Sequence, residues 1–409
     1  MPEHKRAAIA AGVLRFGSAA AAVVWLSLAA HAGGYDTGER DWDFLFQQDN
    51  FAAEAGTRYI DPQRTLKNIQ SVGIAFAPAY PSAASNNETE AFSVERFSVM
   101  GRLTENLRCM GSYRQPFEGH ANYGTTWFAA ASATEQHFTS EDYGLTCAVS
   151  TAVGMGNLLF IGGASYQTIG YELVQYFGPL AGTGRTNVSD DGVGWRAGVG
   201  YEIPQYALRA TLIYNSAIGY DMTGTGTNLA TGGLPYNGPL AGSMSMPQSV
   251  ELKAQSGIAP GWLAFGSVKW TNWSVDQDMP LCAPGTASCI TGAGAYSALT
   301  LLFRDSWTVT LGAAHQINEQ FSLAGSLTWD QGASQGFTSQ TDTWTADLTA
   351  IWMPRKQFEL RFGGSVGVLT GGSLSTATLA TGIANPVGYT ASFGDDLVYA
   401  LSAKAALHY

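Results

Sequence analysis

The sequence predicts an all-β fold: a transmembrane antiparallel β-barrel of about fourteen strands, with an amino-terminal plug (hatch) in its lumen. Charged residues make up only 13% of the 409 residues, about half the ~25% of an average soluble domain. Gly is frequent, with 49 residues, and aromatic residues reach 12%. Segments with alternating apolar residues recur along the chain, and this period of two is typical of strands. A disordered chain would carry more charge and fewer aromatic residues, so that class is excluded.

The first segment predicts export. Residues 1–32 resemble a signal peptide, with basic residues at positions 5, 6 and 15, an apolar stretch over 19–30 and an Ala-His-Ala cleavage site at 30–32. Beyond it the chain has no apolar run long enough for a transmembrane helix. The formal net charge of −11 makes nucleic acid an unsuitable partner.

Four cysteines fit an oxidising compartment. The even count suggests two disulfides, Cys282–Cys289 within a loop and Cys109–Cys147 between strands, although four cysteines allow three connectivities. A metal site is the rival interpretation. It is disfavoured because the chain has no C-x-x-C motif and its six histidines are not clustered, so neither a metal nor a cofactor is expected.

Strand alternation is clearest at residues 397–409, where every odd position from Leu397 to Tyr409 is apolar. An exported chain that ends on such an aromatic strand is similar to outer-membrane barrels. The same alternation recurs upstream, and aromatic residues lie near strand ends as an interfacial girdle requires. The predicted strands are 66–80, 91–106, 107–118, 142–153, 157–177, 192–203, 206–216, 247–259, 261–274, 298–317, 321–334, 343–354, 358–371 and 396–409.

The connections divide into short turns and long loops rich in Gly, Ser, Thr and Asn. Short periplasmic turns and long external loops are the expected asymmetry of such a barrel. Residues 33–65 lack alternation and mix charged with aromatic residues, which makes a solvated tail a poor interpretation. The sequence therefore predicts a plug over 33–65 and a barrel over 66–409.

Three groups of motifs stand out in order along the chain: Phe51 to Gly56; Met246 to Val250 followed by Gly261-Trp262 and Val268 to Ser274; and Asp305 to Ala313 followed by Phe321-Ser322-Leu323. Together they resemble the FadL-type (OmpP1/FadL/TodX) family of outer-membrane transporters for long-chain fatty acids and other hydrophobic compounds. One departure is Asp61-Pro62-Gln63, where many members carry Asn-Pro-Ala.

The resemblance implies a monomeric barrel in the outer membrane of a Gram-negative bacterium, in contact with its lipid. It implies passive transport: hydrophobic molecules, with long-chain fatty acids as the leading substrate, are captured at external loops, bound in an apolar lumen site gated by the plug, and released laterally. The alternatives are a non-selective porin for polar solutes and an uptake channel for aromatic hydrocarbons. No enzyme is expected, because the G-x-S-x-G pattern at 363–367 lies within a predicted strand rather than at a strand-to-helix turn.

Candidate site residues follow from strand parity and from apolar groups outside it. Lys269 shares a predicted inward face with Leu263 and Phe265, which suits a fatty carboxylate. The other candidate ligand contacts are Phe44, Phe46, Phe51, Tyr59, Tyr176, Phe177, Met244 and Met246. Four arginines of one parity are expected to face the lumen, where they either bind the ligand carboxylate or pair with acids of the plug. The predicted lumen charge network comprises Arg96, Arg102, Arg108, Arg114, Asp41, Asp43, Asp49 and Glu54.

Overall fold

The computed structural model describes residues 34–38, 42–71, 85–127, 129–229, 235–291, 294–374 and 389–409. The predicted signal peptide lies outside them. In this part of the chain no helix is long and apolar enough to cross a membrane. Its helices are three single 3₁₀ turns, Asp43–Phe46, Pro204–Tyr206 and Trp273–Val275.

Fourteen antiparallel strands form a closed barrel, as predicted. β1 closes the sheet, because Ala55 lies opposite Ala405 of the last strand and opposite Phe97 of the second. The strands are β1 Phe51–Pro62, β2 Phe92–Arg102, β3 Leu107–Arg114, β4 Glu135–Val153, β5 Gly156–Tyr176, β6 Thr183–Ile203, β7 Leu208–Asn215, β8 Ser249–Ala259, β9 Trp262–Thr271, β10 Ser306–Gln316, β11 Phe321–Asp330, β12 Thr343–Arg355, β13 Phe358–Leu369 and β14 Asp396–His408. Each of the fourteen strands pairs with a neighbour on both sides, which is the condition for spanning lipid with strands.

The alternation seen in the sequence separates an outer from an inner face. On β14, Leu401 is 65% exposed whereas its neighbour Ala400 is 3% exposed. Large apolar residues cover the outer face of the other strands as well, including Trp262, Trp307, Trp344 and Trp352. Arg96, Arg108 and Arg196 are buried on the inner face, where a charge avoids the cost of about 2–4 kcal/mol that it would have on the lipid face at mid-bilayer.

Short turns join the strands at the end of the barrel where β1 begins and β14 ends. Long connections lie at the other end and carry eleven further strands within the described residues. These are Thr65–Ser71, Ser85–Asn87, Gly119–Asn122, Ile218–Tyr220, Thr223–Leu229, Tyr236–Ala241, Met244–Met246, Asp278–Leu281, Ser297–Thr300, Gly372–Leu374 and Tyr389–Phe393. The asymmetry identifies the short-turn end as periplasmic and the loop end as external.

The first barrel strand differs from the prediction. Residues 51–62, assigned to the plug, form β1, whereas Thr65–Ser71, predicted to open the first strand, pairs with Ser85–Asn87 and Tyr389–Phe393 in a small external sheet. The boundary between plug and barrel at residue 65 is therefore wrong. Small residues such as Ala53 and Ala55 occupy the outward positions of β1, while Glu54 and Arg58 point inward, so its hydropathy alternates only weakly.

Both predicted disulfides are confirmed. Cys109 of β3 lies directly opposite Cys147 of β4 and is bonded to it. Cys282 is bonded to Cys289 within an external loop. The first bridge links neighbouring strands on the outer face of the barrel, near the periplasmic start of β3.

Candidate functional site

The amino-terminal segment from Trp42 to Gln47 fills the lumen near the periplasmic end. Its buried apolar side chains pack against Ala52 of β1, Met100 of β2 and Met110 of β3. The same cluster extends to Ala148, Leu159, Ile161 and Ile213 on β4, β5 and β7. A segment that contacts so many consecutive strands lies inside the barrel.

Buried charges hold this segment in place. Asp43 accepts hydrogen bonds of 3.0 Å from both Arg209 of β7 and Lys253 of β8. The Trp42 ring lies under the guanidinium groups of Arg196 and Arg114, at 3.7 Å and 4.8 Å from the ring centre. Charge-assisted hydrogen bonds and cation–π contacts are strong where water is excluded.

A second part of the amino-terminal segment, Gly34 to Gly38, lies higher in the lumen. Asp36 forms an isolated bridge with Phe117, in the interruption that separates β3 from Gly119–Asn122. The Asp36 carboxylate also accepts a 2.7 Å hydrogen bond from Lys269 of β9. The segment therefore ties together two walls of the barrel.

Tyr35 makes the apolar contacts of this upper part. Its ring stacks on Phe138 at 4.8 Å and meets Trp273 and Phe303 edge-on. A Cβ atom on Gly119 would lie 2.3 Å from the Tyr35 ring, so the close approach requires Gly at this position.

A cavity of about 350 Å³ lies above Tyr35, toward the external loops. This size is within the range of small-molecule pockets, which are lined mainly by apolar and aromatic groups with few polar ones. Strand ends and external loops both contribute to its wall. Its aromatic lining residues are Tyr35, Phe92, Tyr123, Trp127, Phe138, Tyr171, Phe337 and Tyr389.

Arg64 is the buried cation of the cavity wall, and protein oxygens engage it. Its guanidinium donates to the carbonyl of Gly394 at 3.0 Å, to Thr341 at 2.9 Å and to Asp396 at 3.2 Å. It further donates to the carbonyls of Ser339, Leu369 and Thr370. Burial lowers the pKa of Arg64, while the nearby Glu88 and Asp396 carboxylates oppose that shift.

Glu88 is the buried acid of the same wall. One carboxylate oxygen accepts hydrogen bonds from Ser339 at 2.8 Å and from Tyr123 at 3.4 Å. Burial raises the pKa of Glu88, against the opposing effect of these hydrogen bonds and of Arg64. The wall thus places an acid with a raised pKa beside a cation already surrounded by acceptors.

The predicted ligand contacts occupy other places. Phe51 and Tyr59 are 44% and 46% exposed on the outer face of β1, so they face lipid, because this segment is a barrel strand. Phe44 and Phe46 belong to the lower cluster, and Phe265 is buried inside the barrel. Leu263, Lys269, Tyr176, Phe177, Met244 and Met246 are inner-wall or loop residues, and none of the eleven candidates lines the cavity.

The predicted arginine network is internal but paired differently. Arg96 bonds Glu54 of the adjacent β1, Arg108 bonds Glu202 at 3.4 Å and Arg114 packs on Trp42. Arg102 donates to the Gln48 carbonyl at 2.8 Å, and Asp49 pairs with His408 at 2.8 Å. Asp41 lies outside the described residues. The Arg114–Trp42 and Arg102–Gln48 contacts join two of these arginines to the amino-terminal segment.

Sequence reasoning missed most of the cavity wall, because its residues come from loops and strand ends. Tyr171 lies on the predicted strand 157–177. Arg64 and Glu88 flank the segment mistaken for the first strand, so their placement could not be derived. The sequence signal for Arg64 would have been a charged residue directly after the end of β1.

The geometry defines a class of protein: a closed outer-membrane β-barrel with a segment packed in its lumen and an aromatic cavity above it. Residues 144–343 match the model of the family described as "Outer membrane protein transport protein (OMPP1/FadL/TodX)". The match covers 200 of the 409 residues, and the predicted FadL-type resemblance and outer-membrane location are confirmed. The family comprises transport proteins, in agreement with the expectation of a protein that is not an enzyme.

Two curated relatives are long-chain fatty acid transport proteins. The one from Escherichia coli O6:H1 is 26% identical over 160 residues, which are 34% of this chain and 32% of the relative. The one from Salmonella typhi is 25% identical over 158 residues, 34% of this chain and 33% of the relative. The match thus spans about a third of the length of these relatives.

Solved structures share the fold over almost the whole chain. A Pseudomonas aeruginosa FadL homologue has a TM-score of 0.73 at 13% identity, covering 89% of this chain and 91% of that one. The Pseudomonas putida toluene transporter TodX has a TM-score of 0.60 at 11% identity, covering 90% and 92%. The Ralstonia pickettii toluene transporter TbuX has a TM-score of 0.56 at 13% identity, covering 89% and 90%. At such identities the similarity establishes the fold.

Proposed function

We propose that this protein carries hydrophobic small molecules passively across the outer membrane. The observation that carries the proposal is the position of the 350 Å³ cavity: it lies between the external loops and a lumen filled by Trp42 to Gln47. A hydrophobic molecule gains free energy by leaving water for contact with the aromatic side chains of this cavity. The filled periplasmic end then acts as the gate, and release is lateral. We infer a monomer surrounded by outer-membrane lipid.

Long-chain fatty acids are the first substrate candidate, because they are named for both curated relatives. Aromatic hydrocarbons are the second candidate, favoured by the chemistry of the cavity wall. Its aromatic rings suit an aromatic ligand, whereas a fatty carboxylate would have to compete with six protein oxygens for Arg64. A protonated fatty acid would avoid that competition.

Uptake of labelled oleate and labelled toluene by cells with and without the gene tests the proposal. We expect faster uptake of at least one compound in cells that express the protein. Equal uptake of both compounds in the two strains would contradict transport, and selective gain of one compound would decide the substrate.

A bulky substitution in the wall tests the cavity itself. Ala121 lines the cavity, whereas Ala405 lies on the outer face of β14. We expect Ala121→Trp to reduce uptake by about tenfold or more, because the indole occupies the ligand volume, while Ala405→Trp retains wild-type uptake at equal expression. Equal uptake by both variants would show that ligands pass elsewhere.

A further inference from the structure

Two histidines and a glutamate meet beside the cavity, although they are far apart in the sequence. His120 on the short strand Gly119–Asn122 lies directly opposite His137 of β4, and their ring centres are 4.9 Å apart. Glu90 lies in the connection before β2, and its carboxylate is hydrogen-bonded to Nε2 of His137 at 3.2 Å. One ligand-capable atom from each of the three residues lies within 4.8 Å of the other two. We propose that these residues bind a transition-metal dication of the Zn²⁺ class.

The ligand types of the three side chains determine which metal ions the proposed site would favour. Two imidazoles and a carboxylate suit Zn²⁺, Ni²⁺ or Cu²⁺, whereas Ca²⁺ prefers oxygen ligands alone. Zn²⁺ bonds of about 2.0–2.2 Å place tetrahedral ligand atoms roughly 3.3 Å apart. The three groups must therefore approach each other by about 1.5 Å at most, through side-chain rotation.

Exposure allows both that rotation and the arrival of an ion. The side chains of His120, His137 and Glu90 are 20%, 33% and 42% exposed. The backbone is already set, because the Glu90 amide donates to the His120 carbonyl at 3.3 Å. Three ligands leave a fourth position for water or another donor.

The surroundings of His120 resemble the support that metal-bound imidazoles usually have. Glu118, whose side chain is 3% exposed, bonds His120 Nε2 at 3.1 Å, and its other oxygen accepts from the Ser140 amide at 3.2 Å. Phe92 stacks on the His120 ring at 5.0 Å. A buried carboxylate behind a ligating histidine fixes the ring orientation and strengthens the site.

The position gives the ion a role beyond the proposed transport activity. His120 lines the cavity, and Glu90 follows two further lining residues, Glu88 and Thr89. A bound dication would cross-link the connection before β2 to β4 at the edge of the cavity. Metal supply would thereby control the rigidity of the wall that receives the ligand.

Metal binding by the purified full-length protein, without a histidine tag, tests this inference. We expect isothermal titration to show about one equivalent of Zn²⁺ bound and no Ca²⁺ binding under the same conditions. The electron paramagnetic resonance spectrum with one equivalent of Cu²⁺ should show coupling to two imidazole nitrogens. An absence of Zn²⁺ binding, or Cu²⁺ without nitrogen coupling, would overturn the proposal.

Substitutions of the proposed ligands test whether the ion binds at this place. His137→Ala and Glu90→Gln should each weaken Zn²⁺ binding by more than tenfold, and Glu118→Gln by about 10–100-fold. His315→Ala is the matched control, because His315 lies on β10 against Trp262 and should leave binding unchanged. Heat modifiability on SDS gels verifies folding, and His137→Gln replaces His137→Ala if the alanine variant does not fold. Wild-type affinity in a folded His137 variant would refute the site.

Discussion

Buried charges around the cavity are matched by the protein, and this matching determines which ligands fit. Arg64 is 2% exposed and lies over the Phe393 ring at 4.5 Å while donating to loop oxygens. Both hydroxyl donors of Glu88 bond one carboxylate oxygen, and the other oxygen is buried without a hydrogen-bond partner among the described residues. Leaving a charged group unpaired in a buried site costs free energy. The wall therefore offers few unmatched charges, which supports a hydrophobic ligand.

Glu88 should make the stability of the external loops depend on pH. Because burial raises its pKa above the ordinary 4.5, the stability that its protonated form contributes is complete below about pH 4.5. It is lost as the pH rises through the raised pKa. Glu88→Gln stays neutral, so its unfolding midpoint should vary less with pH across that window.

Thermal unfolding from about pH 4 to about pH 9 measures this difference. Glu319→Gln, in an exposed short turn, is the control and should follow the wild-type curve. A Glu88→Gln curve parallel to that of the wild type would show that Glu88 titrates normally.

Strands whose outer face is strongly apolar could be predicted, and strands built from small residues could not. β14 shows its two faces directly, because Leu401 and Tyr399 alternate with Ala400 and Ser402. In β1 the outward positions include Ala53 and Ala55, and the inward Glu54 is neutralised by Arg96 of the adjacent strand. Such a pairing across strands is invisible in a single segment. The total of fourteen strands was nevertheless correct, because one false strand replaced the missed one.

The Cys109–Cys147 bridge should stabilise the pairing of β3 with β4. It joins residues 38 apart in sequence, whereas Cys282–Cys289 joins residues 7 apart, and a larger closed loop restricts the unfolded chain more. Replacing both Cys109 and Cys147 by Ser should cost about 2–4 kcal/mol of unfolding free energy. The Cys282/Cys289 double Ser variant should cost less.

Denaturant titration of the folded barrel in detergent measures both variants, and reductant added to the wild type should reproduce the larger loss. Equal losses for the two pairs would indicate that loop length is not the source of the stabilisation.

In the barrel as a whole, residue types follow the medium they contact. Large apolar side chains face lipid, buried charges face the lumen, and the long loops lie at the external end. This sorting explains why the sequence could predict the class of fold but not the candidate site. The site depends on which loop reaches which strand end, as where Arg64 meets Asp396 across 332 positions. The hydropathy pattern of a segment does not predict such long-range contacts.

A charge on the outer face should oppose insertion. Leu401 is 65% exposed near the middle of β14, so Leu401→Arg should cost about 2–4 kcal/mol of folding free energy in a bilayer. Leu401→Ala is the control for the lost side chain and should cost less. Denaturant titration in lipid vesicles measures both, and an equal effect of Arg and Ala would place this face away from the hydrocarbon.

The proposed gating of the lumen depends on the contacts of Asp43 with Arg209 and Lys253. Asp43→Asn should weaken two charge-assisted hydrogen bonds, each of which contributes about 1.5–3 kcal/mol. The segment from Trp42 to Gln47 should then leave the lumen more often, because apolar packing and the cation–π contacts of Trp42 and Phe46 would have to hold it without these ion pairs.

Single-channel conductance in planar bilayers measures this opening. We expect the wild type to be closed for most of the recording, the Asp43→Asn variant to open frequently, and Glu105→Gln, in an exposed short turn at the same end, to match the wild type. A large and steady conductance of the wild type would instead favour a non-selective porin. A wild type and an Asp43→Asn variant that both stay closed would show that these ion pairs do not hold the gate.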